Sequence, residues 1–185
     1  MHGLPIIFHS FFFSFLALLS PPQLPELIIG QEIIPPGIIF IFEGAVKDKI
    51  HPDRLHLPMN QTDVHIEARV NWDDAKIPKG AVVGGFIPYL NITVLVKNSK
   101  TELKTFVDLK PHINLIDNFH YARNISLPGS IDDWYDIEFS VTAPSDIELA
   151  FHNDWIKKYG VTLASDYKFN YKHINFKKIA EATRK

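Results

Sequence analysis

From Gly37 to Phe176 the chain is a succession of short runs of Ile, Val, Phe, Tyr and Thr, broken by Pro, Gly, Asn and Asp. β-Branched and aromatic residues fit a pleated, half-buried surface, and closely spaced breakers mark off strands and not helices. The expected strands are Ile38–Val46, Val64–Val70, Phe86–Lys97, Leu103–Asp108, Trp134–Thr142 and Asp166–Ile174, with turns at Asn98-Ser99-Lys100 and Pro128-Gly129-Ser130. Alternation is clearest in two of them. Tyr135, Ile137, Phe139 and Val141 are separated by Asp136, Glu138 and Ser140; Val64, Ile66, Ala68 and Val70 are separated by His65, Glu67 and Arg69. A strand with one apolar face belongs to an antiparallel sheet packed on one side. No capped helical periodicity and no internal repeat is visible. The fold class is therefore all-β, an antiparallel sandwich or barrel, and about 140 residues suffice for one substantial core.

The flanks differ from this domain. Ile6–Leu19 is an uncharged apolar run ending at Ser20-Pro21-Pro22. A bilayer span needs ~20 apolar residues, so the run is short for an anchor and suits the core of a signal peptide over residues 1–20. No Lys or Arg precedes it, and no small-x-small cleavage site lies near Ser20; the competing readings are a start codon placed upstream of the true one and an uncleaved anchor. Residues 21–36 hold five prolines and read as a linker or an extended lead-in. Residues 177–185 read as a charged tail with room for a frayed helical turn.

Composition removes several function classes. Lys and Arg number 19 against 21 Asp and Glu, a net charge of −2, which lacks the clustered cations that neutralise nucleic-acid phosphates. With no cysteine there is no disulfide framework, zinc ribbon or thiol nucleophile. Nine histidines beside two methionines point toward metal or proton chemistry. HExxH, calcium-loop and phosphate-loop motifs are absent, and no nucleophile–base–orienter set appears, so the chain does not read as a turnover enzyme.

The chemistry gathers in three places. His65 and Glu67 leave the same face of one strand, ~7 Å apart along it, within reach of one metal site or two adjacent ones; the bland alternative is a solvated face with Glu67 paired to Arg69. His112, Asp117 and His120 lie in a stretch that reads as a loop after a strand, where two imidazoles flank a carboxylate. His152 stands in the polar stretch Phe151-His152-Asn153-Asp154-Trp155. His51 and His56 fall in a Pro-containing loop and His173 in a Lys-rich strand, and all three read as surface residues. Trp134, Trp155, Phe139 and Tyr167 read as core aromatics, since no basic stripe accompanies them.

Four segments in order carry a resemblance: Asp63-Val64-His65-Ile66-Glu67-Ala68, Phe86-Ile87-Pro88-Tyr89-Leu90, His120-Tyr121-Ala122-Arg123-Asn124 and Asp166-Tyr167-Lys168-Phe169. They resemble the bacterial periplasmic iron-transport protein family, small copper-binding proteins of copper-dependent iron uptake, over roughly Gly37 to Phe176. The resemblance implies an immunoglobulin-like antiparallel β-sandwich, a homodimer, a periplasmic or secreted location and an inner-membrane iron permease as partner. It implies that His65, His120 and the late-loop His152, the last reaching across the dimer interface, hold copper, and that Glu67 serves an adjoining metal position. The family's thioether ligand falls on His112, a departure from the pattern. The loop is also one residue longer, Asn118-Phe119 replaces Gly-Pro, and Ala122 replaces Gly. Asp117 matches the acidic position before the second histidine and is a candidate for the adjoining site.

The departure has a chemical consequence. A thioether favours Cu(I), whereas an all-imidazole set suits Cu(II), Zn(II), Ni(II) or Fe(II). The expectation is a Cu(II) site at His65, His112, His120 and His152, with Glu67 and Asp117 at an adjoining position suited to iron or manganese. Affinity should fall as the imidazoles protonate below pH ~6. The rival readings are a copper or zinc carrier unrelated to iron, and a non-catalytic partner-binding sandwich whose histidines are surface residues.

Overall fold

Eight antiparallel strands follow one another in the order β1-β2-β3-β6-β5-β4-β7-β8. They are β1 (Leu27–Ile34), β2 (Ile38–Ala45), β3 (Val64–Trp72), β4 (Asn91–Asn98), β5 (Lys104–Ile113), β6 (Phe119–Ile125), β7 (Tyr135–Thr142) and β8 (Tyr167–Ile174). Two short helices, α1 (Asn153–Tyr159) and α2 (Lys177–Glu181), flank β8. The structure is a computed structural model and describes residues 25–184. The expected signal-peptide core, Ile6–Leu19, lies outside the described residues. No helix among the described residues is long and apolar enough to cross a membrane.

The strand that folds this ribbon into a sandwich is β5. Its first part, Lys104–Leu109, pairs with β4, and its second part, Lys110–Ile113, pairs with β6. One layer is thus β1-β2-β3-β6 with the end of β5; the other is the start of β5 with β4-β7-β8. The expected immunoglobulin-like antiparallel sandwich is the architecture found. Between the layers Phe42 stacks on Phe139 at 4.0 Å between centroids, with Phe40 and Phe169 alongside. The alternation in β7 and β3 holds: Tyr135, Ile137, Phe139 and Val141, and Val64, Ile66, Ala68 and Val70, are all buried in this core.

Two flanking segments pack onto the sandwich. The stretch 21–36 contains β1, an edge strand whose Ile29 and Ile34 are buried. Its Gly30 lies under the ring of Tyr171, where a Cβ would come within 2.2 Å of the ring, and the Tyr171 hydroxyl donates to Glu32 at 2.9 Å, so β1 meets β8 where the two layers close. The charged end 177–185 contains α2, which turns Ile179 and Ala180 into the core beside the fully buried Phe176. The apolar pair outweighs its lysines, because their long side chains reach solvent while the other face of the turn packs.

The segment 46–63 crosses the outer face of β3 and β6. That face would otherwise be solvated, as outer faces of antiparallel sandwiches are. The crossing makes it a second, polar interior.

Candidate metal centre

Strands β3, β6 and β5 run side by side, and their register aligns the polar residues. His65 is opposite Asn124, Glu67 opposite Ala122, and His112 opposite His120. Partners across a ladder share a face and residues two apart repeat on it. His65, Glu67, His120, Ala122, Asn124 and His112 therefore belong to one face, the one turned away from Ile66 and Tyr121. Ala122, between His120 and Asn124, contributes only a methyl group. The side chains of His65, His112 and His120 bring one nitrogen each to within 4.8 Å of one another. Glu67 Oε2 stands 3.9 Å from His65 Nε2 and 3.5 Å from His120 Nε2.

Hydrogen bonds fix which nitrogen of each ring is free. The Asn124 amide donates to the carbonyls of Asp48 at 2.8 Å and Leu57 at 3.1 Å, so its Oδ1 is left to accept from His65 Nδ1 at 2.8 Å. His120 Nδ1 lies 3.1 Å from the carbonyl of Asn118, which accepts only. Asn118 holds φ at +60°, the left-handed conformation that asparagine tolerates better than most residues. Both rings thus carry their proton on Nδ1 and turn the Nε2 lone pair toward the cluster, the orientation that outer partners give metal-binding imidazoles. Nε2 of His112 is buried and has no hydrogen-bond partner at all.

Burial prepares the same groups electrostatically. It pushes His65 down to about 4 and His112 down to about 3, the neighbouring imidazoles adding to the effect on His112, and it lowers His120. Burial pushes Glu67 up to about 8, reinforced by the charges of Asp117, Glu43 and Glu26. Near neutral pH the site holds unprotonated imidazoles around a protonated carboxyl. Ligand nitrogens need no deprotonation there, and the His112 Nε2 is not engaged by any hydrogen bond; this donor set fits a borderline cation such as Cu(II) or Zn(II). With the His65 pKa held at about 4, proton competition at that ring sets in below the pH ~6 expected of ordinary imidazoles.

The other expected residues divide. Asp117 sits in the turn between β5 and β6, hydrogen-bonded to Asn114 at 2.8 Å, and its charge acts on Glu67 and His120. Arg69 does not pair with Glu67; its guanidinium donates twice to Glu43, at 2.7 Å each, and its charge offsets the upward push on Glu67 only in part. His152 is exposed at the start of α1, in a groove with Trp72, Phe151 and Trp155, apart from the three imidazoles of its own chain. The stretch 111–121 is not a loop but the hairpin of β5 and β6, which is why His112 and His120 face each other.

One residue read as surface belongs here. The ring of His56 packs against His112, 4.9 Å between centroids, and its Nδ1 is buried without a partner. Both rings line a cavity of about 680 Å³ with His65, His120 and Arg123. No spacing in the sequence connects His56 to the others; only the return of segment 46–63 over β3 does.

Asn124 supports the site without joining it. Replacing Asn124 by Ala frees the His65 ring and its tautomer and is expected to weaken copper binding about 10–100-fold, measured by chelator competition.

Comparison with known proteins places these residues in context. The family model described as Fe2+ transport protein matches residues 23–177. The "34 kDa membrane antigen" of Treponema pallidum is 31% identical over 94 residues, 51% of this chain and 45% of that protein, so the match spans less than half of this relative. A copper-bound variant of the Campylobacter jejuni P19 protein superposes with a TM-score of 0.67 at 24% identity, over 80% of this chain and 96% of that one. A copper-bound variant of uropathogenic Escherichia coli FetP gives 0.64 at 21%, over 82% and 99%. At these identities the two structures establish the shared fold.

Proposed function

The chain belongs to the Fe2+ transport protein family, and from that premise we propose that it is an exported, periplasmic metal-binding protein of iron uptake that holds copper at His65, His112 and His120. The observation that carries this reading is the convergence of three unprotonated imidazoles, two buried with a fixed tautomer and the third half-buried with an unpartnered nitrogen. Copper bound to the fold relatives supports the choice of metal. Without the thioether of the family pattern, the site favours Cu(II) over Cu(I).

Glu67 and Asp117 form the second half of the proposal. Oxygen donors beside the imidazole set suit iron or manganese in transit. Glu67 releases its proton to solvent when the transported ion, and not the copper, binds its carboxylate, so capture of that ion alone is coupled to proton loss. Copper supplies a stable Lewis-acidic or redox-capable centre; Glu67 and Asp117 hold and orient the transported ion next to it. In this reading the protein works as a homodimer feeding an inner-membrane iron permease, and only from a second copy does His152 come near the centre.

Titration of metal-free, untagged protein with Cu(II) tests this reading. One copper per chain is expected, with an affinity nearly level from pH 7 to pH 5 that falls only near about 4, where His65 titrates. A midpoint near the ordinary histidine value, ~6.5, would assign binding to exposed histidines and overturn the proposal.

A further inference from the structure

We propose that the cavity beside the three imidazoles is an anion site, which takes a small polycarboxylate against Arg123 and Arg184. The inference goes beyond the metal-binding reading above and stands on the cavity's own residues.

The charges on the cavity wall set its sign. Four basic residues, Lys49, Lys110, Arg123 and Arg184, line the space of about 680 Å³ against one acid, Asp48. Outside the lining, Asp108 takes up part of this charge, 2.6 Å from Lys110 and 3.6 Å from Arg123. Counting both acids still leaves four bases against two. After burial, the charge of Arg123 is among the causes that lower His56 and His112, and that of Arg184 among those that lower His65. Both guanidiniums therefore act on the space that the rings border. Glu67, Glu43, Glu26 and Asp117 line no part of it. An anion is drawn to such a wall in a chain whose net charge is −2.

Arg184 supplies a second observation. Its Nε–H is buried and donates no hydrogen bond. A guanidinium carries donors only, so no tautomer turns this nitrogen into an acceptor. Asp48 lies 3.2 Å from it, within ionic reach, and the Nη2 contact to the Val46 carbonyl is long at 3.5 Å. A buried donor left over calls for an acceptor, and a carboxylate is the acceptor whose planar geometry matches the guanidinium fork. The size selects among carboxylates. Sites for small organic ligands span ~300–1,000 Å³, and the four cations come from four segments: 46–63, β5, β6 and the end that follows α2. Cations spread over a space of that size suit an anion with several carboxylates better than a single inorganic oxyanion.

Isothermal titration of the metal-free, untagged full chain with tricarballylate tests the proposal, with acetate at matched ionic strength as the second titrant and thermal unfolding of every variant for integrity. One tricarballylate per chain is expected, bound at least about tenfold more tightly than acetate and weakening as ionic strength rises from ~0.05 to ~0.5 M. Arg123→Gln and Arg184→Gln are each expected to weaken it about 10–100-fold. Lys168→Gln, whose partner Glu138 is on β7, should match wild type. Arg184 also pairs with Asp48, so Asp48→Asn gives a reading that loosening alone would not: removing the one acid of the wall should tighten binding. No saturable uptake by wild type would overturn the proposal, as would uptake unchanged in both arginine variants or no tighter than that of acetate. With no metal present, failure here leaves the copper reading standing, and failure of the copper titration leaves this site standing.

Discussion

Replacing His65 and His120 together by Ala is expected to abolish stoichiometric copper binding while the sandwich stays folded. These two rings are the ones whose Nδ1 protons are pinned, by Asn124 and by the Asn118 carbonyl, so that Nε2 faces the cluster. Loss of a supporting partner alone costs ~10–100-fold in metal affinity; removing two ligands outright should cost roughly a thousandfold or more. Folding should survive because both rings lie on the outer polar face of β3 and β6, away from the Phe42–Phe139 core. Equilibrium dialysis against buffered copper, with circular dichroism of the metal-free variant, checks both halves. A folded double variant that still takes up one copper per chain would contradict the assignment. The rival partner-binding reading makes that opposite forecast, since surface histidines would leave copper content unchanged.

The residues behind that forecast were unequally legible in the sequence. His65 and Glu67 could be placed on one face because β3 alternates strictly, and alternation is a local property. The pairing of His112 with His120 could not, because Pro111 and the polar run after it read as a loop. Pro111 in fact sits in the half of β5 that pairs only with β6, an edge where the missing N–H costs no ladder bond. Strand β1 was obscured in the same way, by the five prolines around it and by Gly30, which is there to admit the Tyr171 ring and not to make a turn. The family resemblance supplied the order of the ligands. It could not supply His56, whose place depends on how segment 46–63 folds back, a long-range event with no periodic trace.

A second large effect concerns Glu67 in the metal-free protein. The folded state holds its carboxyl at about 8 against 4.5 in the unfolded chain, chiefly through burial and then through Asp117, Glu43 and Glu26. Between those two values the folded state binds the extra proton, so stability falls as pH rises across that window. At ~1.4 kcal/mol per pH unit the burial of this group costs roughly 4–5 kcal/mol by pH 9. Glu67→Gln keeps the shape and cannot ionise, and its amide can still donate toward Nε2 of His120 or His65. The variant is expected to be more stable than wild type by several kcal/mol at pH 9 and nearly equal to it at pH 5, read from urea unfolding with metal removed. The histidines act with the opposite sign. His65 and His112 are held below their ordinary 6.5, so the unfolded state binds the extra protons and stability is lost as pH falls from 6.5 toward about 4. Metal-free wild type should therefore be most stable near pH 6, with a decline on the alkaline side that the Gln variant lacks. A wild-type curve that stays level up to pH 9 would show Glu67 to be solvated.

Both effects come from one arrangement: a covering segment that turns the outer face of a sandwich into a polar chamber, where burial keeps the imidazoles neutral and holds the Glu67 carboxyl protonated. The direct measurement is a crystal structure of copper-loaded protein with anomalous diffraction recorded on either side of the copper edge. The expected result is one strong copper peak per chain, ~2.0–2.1 Å from nitrogens of His65, His112 and His120. A peak elsewhere, with those three rings empty, would contradict the account.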